Sequence, residues 1–231
     1  MLKKIYNQAG SPDSEVIVDI ERILNTFPKI GSDEVGKGDF FGPLVVCAVY
    51  VEKSEQMEDL NARDSKTISD SRVEKLGAQL IKKVDYSLVR ISPEKYNQLY
   101  QRFNNINVIL GWAHAQAIKN VLEKKKIPEI ILIDKFGPEF RVLKHFDDPG
   151  AKKKMVFLTR AEKDMAVAAA SIIARYTFLK EMKKLSAQCG HTLLFGASGK
   201  VDGVARELAG EIGIQNLSKY VKVHFKNYSR L

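Results

Sequence analysis

Two adjacent acids, Asp33 and Glu34, stand just before the glycine-bearing stretch Val35-Gly36-Lys37-Gly38. Neighbours in a regular strand point to opposite faces, so both acids can approach one site only where the strand ends and the chain turns. The glycines permit such a turn. A solvated acidic turn explains an isolated Asp-Glu pair equally well. Further along, Asp134 follows the apolar run Ile130-Ile131-Leu132-Ile133, which reads as a buried strand. An acid at the carboxyl end of such a strand lies on the edge where open α/β sheets place ligands. Glu162 and Asp164 occur in Arg160-Ala161-Glu162-Lys163-Asp164, at the start of a long helical pattern. There a carboxylate also has a structural explanation in the helix dipole. Acids at the ends of several core elements suit hard cations, because Mg²⁺ prefers carboxylate oxygens and keeps part of its water shell. Four converging carboxylates could hold two ions roughly 4 Å apart, one activating water and one stabilising the leaving oxygen of a phosphodiester. His114, His145, His191 and His224 are scattered, and none has zinc spacing with a cysteine pair.

Gly36-Lys37-Gly38 combines exposed amides, close backbone approach and one cation, the ingredients of a phosphate or sugar contact. It lacks the spacing and terminal Lys-Ser/Thr of a nucleotide-binding P-loop. Asp64-Ser65-Lys66 is a second candidate phosphate site before a helix, and helix capping is its structural alternative.

The elements that must position these residues follow from periodicity. Strands are expected at Lys29 into Asp33, 44–52, Tyr86–Ile91, Ile130–Ile133 and Met155–Leu158. Helices are expected near Asp70–Lys83 with Ser69 as N-cap, from Pro93, over Val108–Lys125, and over Lys163–Lys184. More helix is expected near Val201–Glu211 and Leu217–His224. Alanines 166, 168, 169 and 170 would let the long helix pack closely on a sheet. The amphipathic stretch Val16–Leu24 reads as one helix on the main body. This order describes a layered α/β domain with a mixed sheet.

The chain has 231 residues, enough to bury a core without disulfides or a structural metal. It has no apolar run of about 18 residues, which excludes a spanning helix, and its N-terminus lacks a secretory signal. Cys47 and Cys189 are the two cysteines; Cys47 reads as a small buried hydrophobe, and a cytoplasmic location is the default. The formal net charge of +9 favours a polyanionic partner, although composition alone does not select one.

At the acids the sequence resembles the type 2 ribonuclease H family, in its ribonuclease HIII branch. Gly31-Ser32-Asp33-Glu34-Val35-Gly36-Lys37-Gly38-Asp39-Phe40-Phe41-Gly42-Pro43 is similar to the family's first motif. Asp64-Ser65-Lys66, Ile133-Asp134, Ala161-Glu162 and Ala168-Ala169-Ala170-Ser171-Ile172-Ile173-Ala174-Arg175 follow in the expected order, so the resemblance covers roughly residues 29–226. It implies a ribonuclease H-like fold: a mixed five-stranded sheet flanked by helices, with additional C-terminal helices. It also implies a metal set of Asp33, Glu34, Asp134 and Glu162, with Asp164 as rival for the fourth place. The implied cofactor is two Mg²⁺ or Mn²⁺ ions. The expected substrate contacts are Ser32, Gly36, Lys37, Gly38, Ser65 and Lys66, with the glycine loop reading 2′-hydroxyls. The implied activity is cleavage of the RNA strand of RNA–DNA hybrids by a monomer, leaving 5′-phosphate and 3′-hydroxyl ends. A Glu at the fourth acidic position, Asn104–Asn107 with Gly111–His114, and Phe195–Ser198 with Val201-Asp202 favour HIII over HII. Two features depart from the branch. Only about 28 residues precede Lys29, where HIII enzymes carry a substrate-binding domain, so residues 1–28 are expected to form a short extension and 29–231 the catalytic domain. Lys37 stands where HIII enzymes often have a small polar residue. The alternatives are HII-like incision at a single ribonucleotide in duplex DNA, and a non-catalytic nucleic-acid binder on the same fold.

Overall fold

The computed structural model describes residues 3–5, 16–18, 20–60, 68–124 and 126–231. Ser65 and Lys66 lie outside the described residues, as does Asp64 before them. Strands β1 (Lys3–Ile5) and β2 (Val16–Val18) pair antiparallel. Helix α1 begins only at Ile20 and ends at Asn25, so the single helix expected over Val16–Leu24 is corrected to a strand followed by a short helix. The β-branched Val16-Ile17-Val18 suits a pleated strand better than a helix.

The main body is built from β3 (Lys29–Val35), β4 (Leu44–Val51), α2 (Asp70–Lys83), β5 (Asp85–Ile91), α3 (Pro93–Phe103) and α4 (Ile106–Leu122). It continues with β6 (Ile130–Asp134), α5 (Phe140–Leu143), α6 (Pro149–Lys153), β7 (Met155–Leu158), α7 (Met165–Cys189), α8 (Gly199–Ile212) and α9 (Ile214–Leu217). The five strands β3 to β7 form one mixed sheet in the order β5-β4-β3-β6-β7. β4 is antiparallel to both neighbours, whereas β3, β6 and β7 run parallel.

β4 is buried on both faces, and its alternation separates two cores. Val45, Cys47, Val49 and Val51 face α7 and meet Ala166, Ala169, Ala170, Ile172 and Ile173. Leu44, Val46, Ala48 and Tyr50 face α4 and meet Ile109, Leu110, Ala113 and Ile118. Both cysteines are free and Cys47 is fully buried, as its apolar run predicts. The four alanines of α7 are buried, and the helix approaches β3 until a side chain at Gly31 would meet the Ala166 and Val167 backbone at 2.2 Å. Among the described residues no helix is long and apolar enough to cross a membrane.

Two element boundaries differ from the periodicity. β3 runs on through Glu34 to Val35, because its ladder with β4 continues to the Val35–Val45 pair. The helix expected over Leu217–His224 is absent: α9 ends at Leu217. The next residues pair with the segment after the glycine loop, with Gly42 N donating to Tyr220 O and Lys222 N to Phe40 O. Lys222 is wholly buried, and its ammonium donates to the carbonyls of Asp39 and Gly42, each at 2.8 Å. Backbone groups committed to that pairing are not available to a helix.

Candidate active site

Register brings the first two acids together. β3 and β6 pair in parallel through Ser32–Ile133, the last paired residues, so Asp33 and Asp134 come next on adjacent strands. Face alternation agrees: Gly31 and Leu132 contact α7, which places Asp33 and Asp134 on the α7 side. Asp33 is buried and accepts hydrogen bonds from Ser171 on α7 and from the Glu34 amide. Burial raises its pKa to about 7, reinforced by the charges of Glu34 and Asp134 and opposed by the two hydrogen bonds. Asp33 therefore lies within electrostatic reach of both Glu34 and Asp134.

Glu34 projects from the opposite face of β3, since the strand has not ended. There its Oε2 lies 3.1 Å from Nε2 of His114, a fully buried residue of α4. His114 Nδ1 lies 2.8 Å from the Ser32 hydroxyl, which in turn donates to Cys47 O at 2.9 Å. Ser32, expected as a substrate contact, is thus wholly buried with its hydroxyl turned inward.

Asp164, the rival for the fourth place, is engaged elsewhere. Asp164 is the N-cap of α7, its Oδ1 accepting from Ala166 N at 2.9 Å and Val167 N at 3.2 Å. Its Oδ2 receives the Lys29 ammonium at 2.6 Å, in a pair that is wholly buried. A carboxylate with both oxygens so engaged is a structural anchor. Glu162 lies in the short 3₁₀ turn Ala161–Lys163 between β7 and α7. Ala161, the residue before it, donates its N–H to Asp134 Oδ1 at 3.0 Å. Arg160, at a left-handed φ of 58°, turns the chain into this position.

The glycine loop divides into a structural and an open half. Gly36 has φ +92° and its would-be Cβ stands 2.2 Å from Pro43 O, so only glycine fits. Gly38 is exposed and nothing lies within 4 Å of its would-be Cβ. Lys37 Nζ donates to Phe136 O at 3.3 Å.

The donors are all carboxylate oxygens, the set that hard divalent cations prefer. Among the described residues no three acidic, histidine or cysteine side chains form a ready-made metal cage. The acids are instead held by His114, Ser171 and backbone amides. Even so, the Asp33 pKa is raised first by burial and then by the negative charges of Glu34 and Asp134, which a cation would relieve, and in that respect the residues fit a divalent ion. Sequence reasoning missed Ser171 and His114. Ser171 lies within the helical motif of α7, and His114 within Gly111-Trp112-Ala113-His114, but neither carries a metal-ligand spacing.

A mixed sheet whose central parallel strands end in neighbouring carboxylates, backed by a long helix, defines a metal-dependent nuclease of the ribonuclease H-like class. Within that class the chain belongs to the ribonuclease HII family, on its ribonuclease HIII branch, for the family model described as Ribonuclease HII matches residues 30–228. It is 40% identical over 215 residues to the ribonuclease HIII of Bacillus mycoides (strain KBAB4), covering 88% of this chain and 68% of that protein. It is 42% identical over 210 residues to the ribonuclease HIII of Bacillus licheniformis, covering 88% of this chain and 67% of that protein. The crystal structure of Bst-RNase HIII in complex with Mn²⁺ superposes with a TM-score of 0.84 at 30% identity, covering 90% of this chain and 70% of that one.

Proposed function

We propose that this chain is an endoribonuclease that hydrolyses the RNA strand of RNA–DNA hybrids, leaving 5′-phosphate and 3′-hydroxyl ends. The catalytic unit is 29–231, acting as a cytoplasmic monomer. Asp33, Glu34, Asp134 and Glu162 would hold two Mg²⁺ or Mn²⁺ ions. The observation that carries this reading is the placement of Asp33 and Asp134 side by side on adjacent parallel strands, where Asp134 adds to a rise in the Asp33 pKa that burial and Glu34 begin.

Bound divalent ions would supply an activated water and charge stabilisation at the leaving oxygen. The protein's own part is positional. Ser171 and the Glu34 amide orient Asp33, the Ala161 amide orients Asp134, and His114 orients Glu34. Gly38 leaves room for a sugar–phosphate backbone to approach, and Lys37 offers a cation beside it. The 2′-hydroxyl is the group such a loop would use to tell RNA from DNA.

Asp134→Asn is expected to reduce cleavage of a uniform hybrid by several orders of magnitude, with circular dichroism and hybrid binding essentially unchanged. Retained cleavage refutes the assignment. The same assay on a duplex with one ribonucleotide separates the HII-like activity, which efficient incision on its 5′ side would favour. Hybrid bound but uncut in both Mg²⁺ and Mn²⁺ would favour the non-catalytic alternative.

A further inference from the structure

On the α4 face of the sheet a continuous set of contacts ends on Glu34. It starts at the Cys47 carbonyl on β4, passes through the Ser32 hydroxyl on β3, crosses the His114 ring and reaches Glu34 Oε2. Both ring nitrogens are engaged, so the imidazole has no freedom to rotate. Its face is also fixed, by a stack on Phe136 with ring centres 4.7 Å apart and planes 14° apart. Phe136 in turn accepts the Lys37 ammonium through its carbonyl. One buried ring therefore joins a carboxylate of the active site to the loop that would meet substrate.

We propose that His114 is a positioning residue that fixes the Glu34 carboxylate for divalent-ion binding and ties its placement to the glycine loop through Phe136. This rests on the functional reading above. The need is geometric. Glu34 leaves β3 on the face opposite Asp33 and Asp134, so its carboxylate shares no strand face with theirs and requires its own support. A side chain with three rotatable bonds would otherwise sample many orientations, and ordering it would cost binding energy. Supporting partners of this kind typically change metal affinity or activity 10–100-fold when removed. His114 itself would not touch the ion or the substrate.

The test uses the substrate-free protein as well as the working enzyme. Mn²⁺ affinity is measured by titration calorimetry for wild type, His114→Ala, Ser32→Ala and Asp134→Asn. Steady-state cleavage of a uniform hybrid is measured for the first three, and circular dichroism checks the fold of all four. His114→Ala is expected to weaken Mn²⁺ binding and lower kcat by about tenfold each, with KM for the hybrid within about twofold. Ser32→Ala keeps the ring but removes its Nδ1 anchor, and shifts both quantities in the same direction by less. It also carries the test if His114→Ala does not fold. A folded Ser32→Ala or His114→Ala protein with wild-type Mn²⁺ affinity and kcat overturns the inference. Asp134→Asn distinguishes the two levels. If it loses Mn²⁺ while His114→Ala keeps it, only the role of His114 fails; if it binds Mn²⁺ as wild type does, the metal reading fails with it.

Discussion

Asp33 is the residue at which the cost of the site is concentrated. It is raised from an ordinary value of 3.8 to about 7 by burial first and by Glu34 and Asp134 after that. Between those values the folded protein keeps a proton on Asp33 that the unfolded chain has released. Stability of the metal-free protein therefore falls as pH rises through that window, and the full cost is present above it. That cost is on the order of a few kcal/mol, which for a chain of this size means several degrees in Tm. A divalent ion supplies the missing charge, so added Mn²⁺ should raise Tm more at pH 8 than at pH 5.5. Asp33→Asn should remove most of the pH slope and most of the Mn²⁺ effect. Thermal melts at the two pH values with and without Mn²⁺ check this, and an equal Mn²⁺ shift at both would count against it. The acids themselves were legible in the sequence because Asp33, Glu34 and Asp134 stand at or near the end of an apolar strand and Glu162 just before a long helix. Their faces were legible only in part. The glycine at 36 suggested that the strand ends at Asp33, whereas the ladder with β4 persists to Val35 and sends Glu34 to the other side. His114 was not legible at all, since its role comes from a contact 80 residues distant in sequence.

At the scale of elements, the site depends on how α7 meets β3. The helix carries Ser171 and begins just after the turn that holds Glu162, and its N-terminus is fixed by Asp164 and the buried Lys29 ammonium. Gly31 sets the approach. A methyl group there would press into the Ala166 and Val167 backbone, which has no rotamer to yield. Gly31→Ala should therefore destabilise by roughly 1–3 kcal/mol or more and reduce kcat, since moving α7 moves Ser171 away from Asp33. Gly38→Ala is the contrasting case. Its would-be Cβ meets nothing in the protein, so Tm should be unchanged, while cleavage falls if a sugar–phosphate backbone approaches there. Paired melts and kinetics on the two variants separate the roles. A Gly38→Ala enzyme with unaltered kcat/KM would remove the loop from the substrate interface. Periodicity located most of these helices and strands because their apolar spacing is local. It failed over Leu217–His224, where Leu217, Tyr220 and Val221 occur at helical spacing but the backbone is claimed by the distant segment 40–42.

Across the whole molecule, sheet topology decides which positive charges can serve a substrate at the acids. The carboxylates lie at the carboxyl ends of β3 and β6. Lys152 and Lys153 precede the start of the parallel strand β7, and Lys124 and Lys126 precede β6 and contact the start of β5. Lys152 and Lys153 before β7 and Lys124 and Lys126 before β6 are thus on the opposite edge of the sheet from the carboxylates. A five-residue strand spans roughly 16 Å, too far for them to grip the duplex segment being cut. Arg160 and Lys163 are exposed on either side of Glu162, and Lys37 lies in the loop after β3, all at the edge of the acids. On the proposed reading these would offset the repulsion between the site carboxylates and a phosphodiester backbone. Lys37→Gln and Lys163→Gln should each raise KM for a hybrid. Each should also lower the steepness of its salt dependence by about one counterion, the one released when a lysine neutralises a phosphate. The double replacement of Lys152 and Lys153 by Gln removes twice the charge and should leave both quantities nearly unchanged. KM measured from about 50 to 200 mM salt makes the comparison. If the distant pair proves the more damaging, substrate wraps over the far edge of the sheet and charge at the acid edge is secondary.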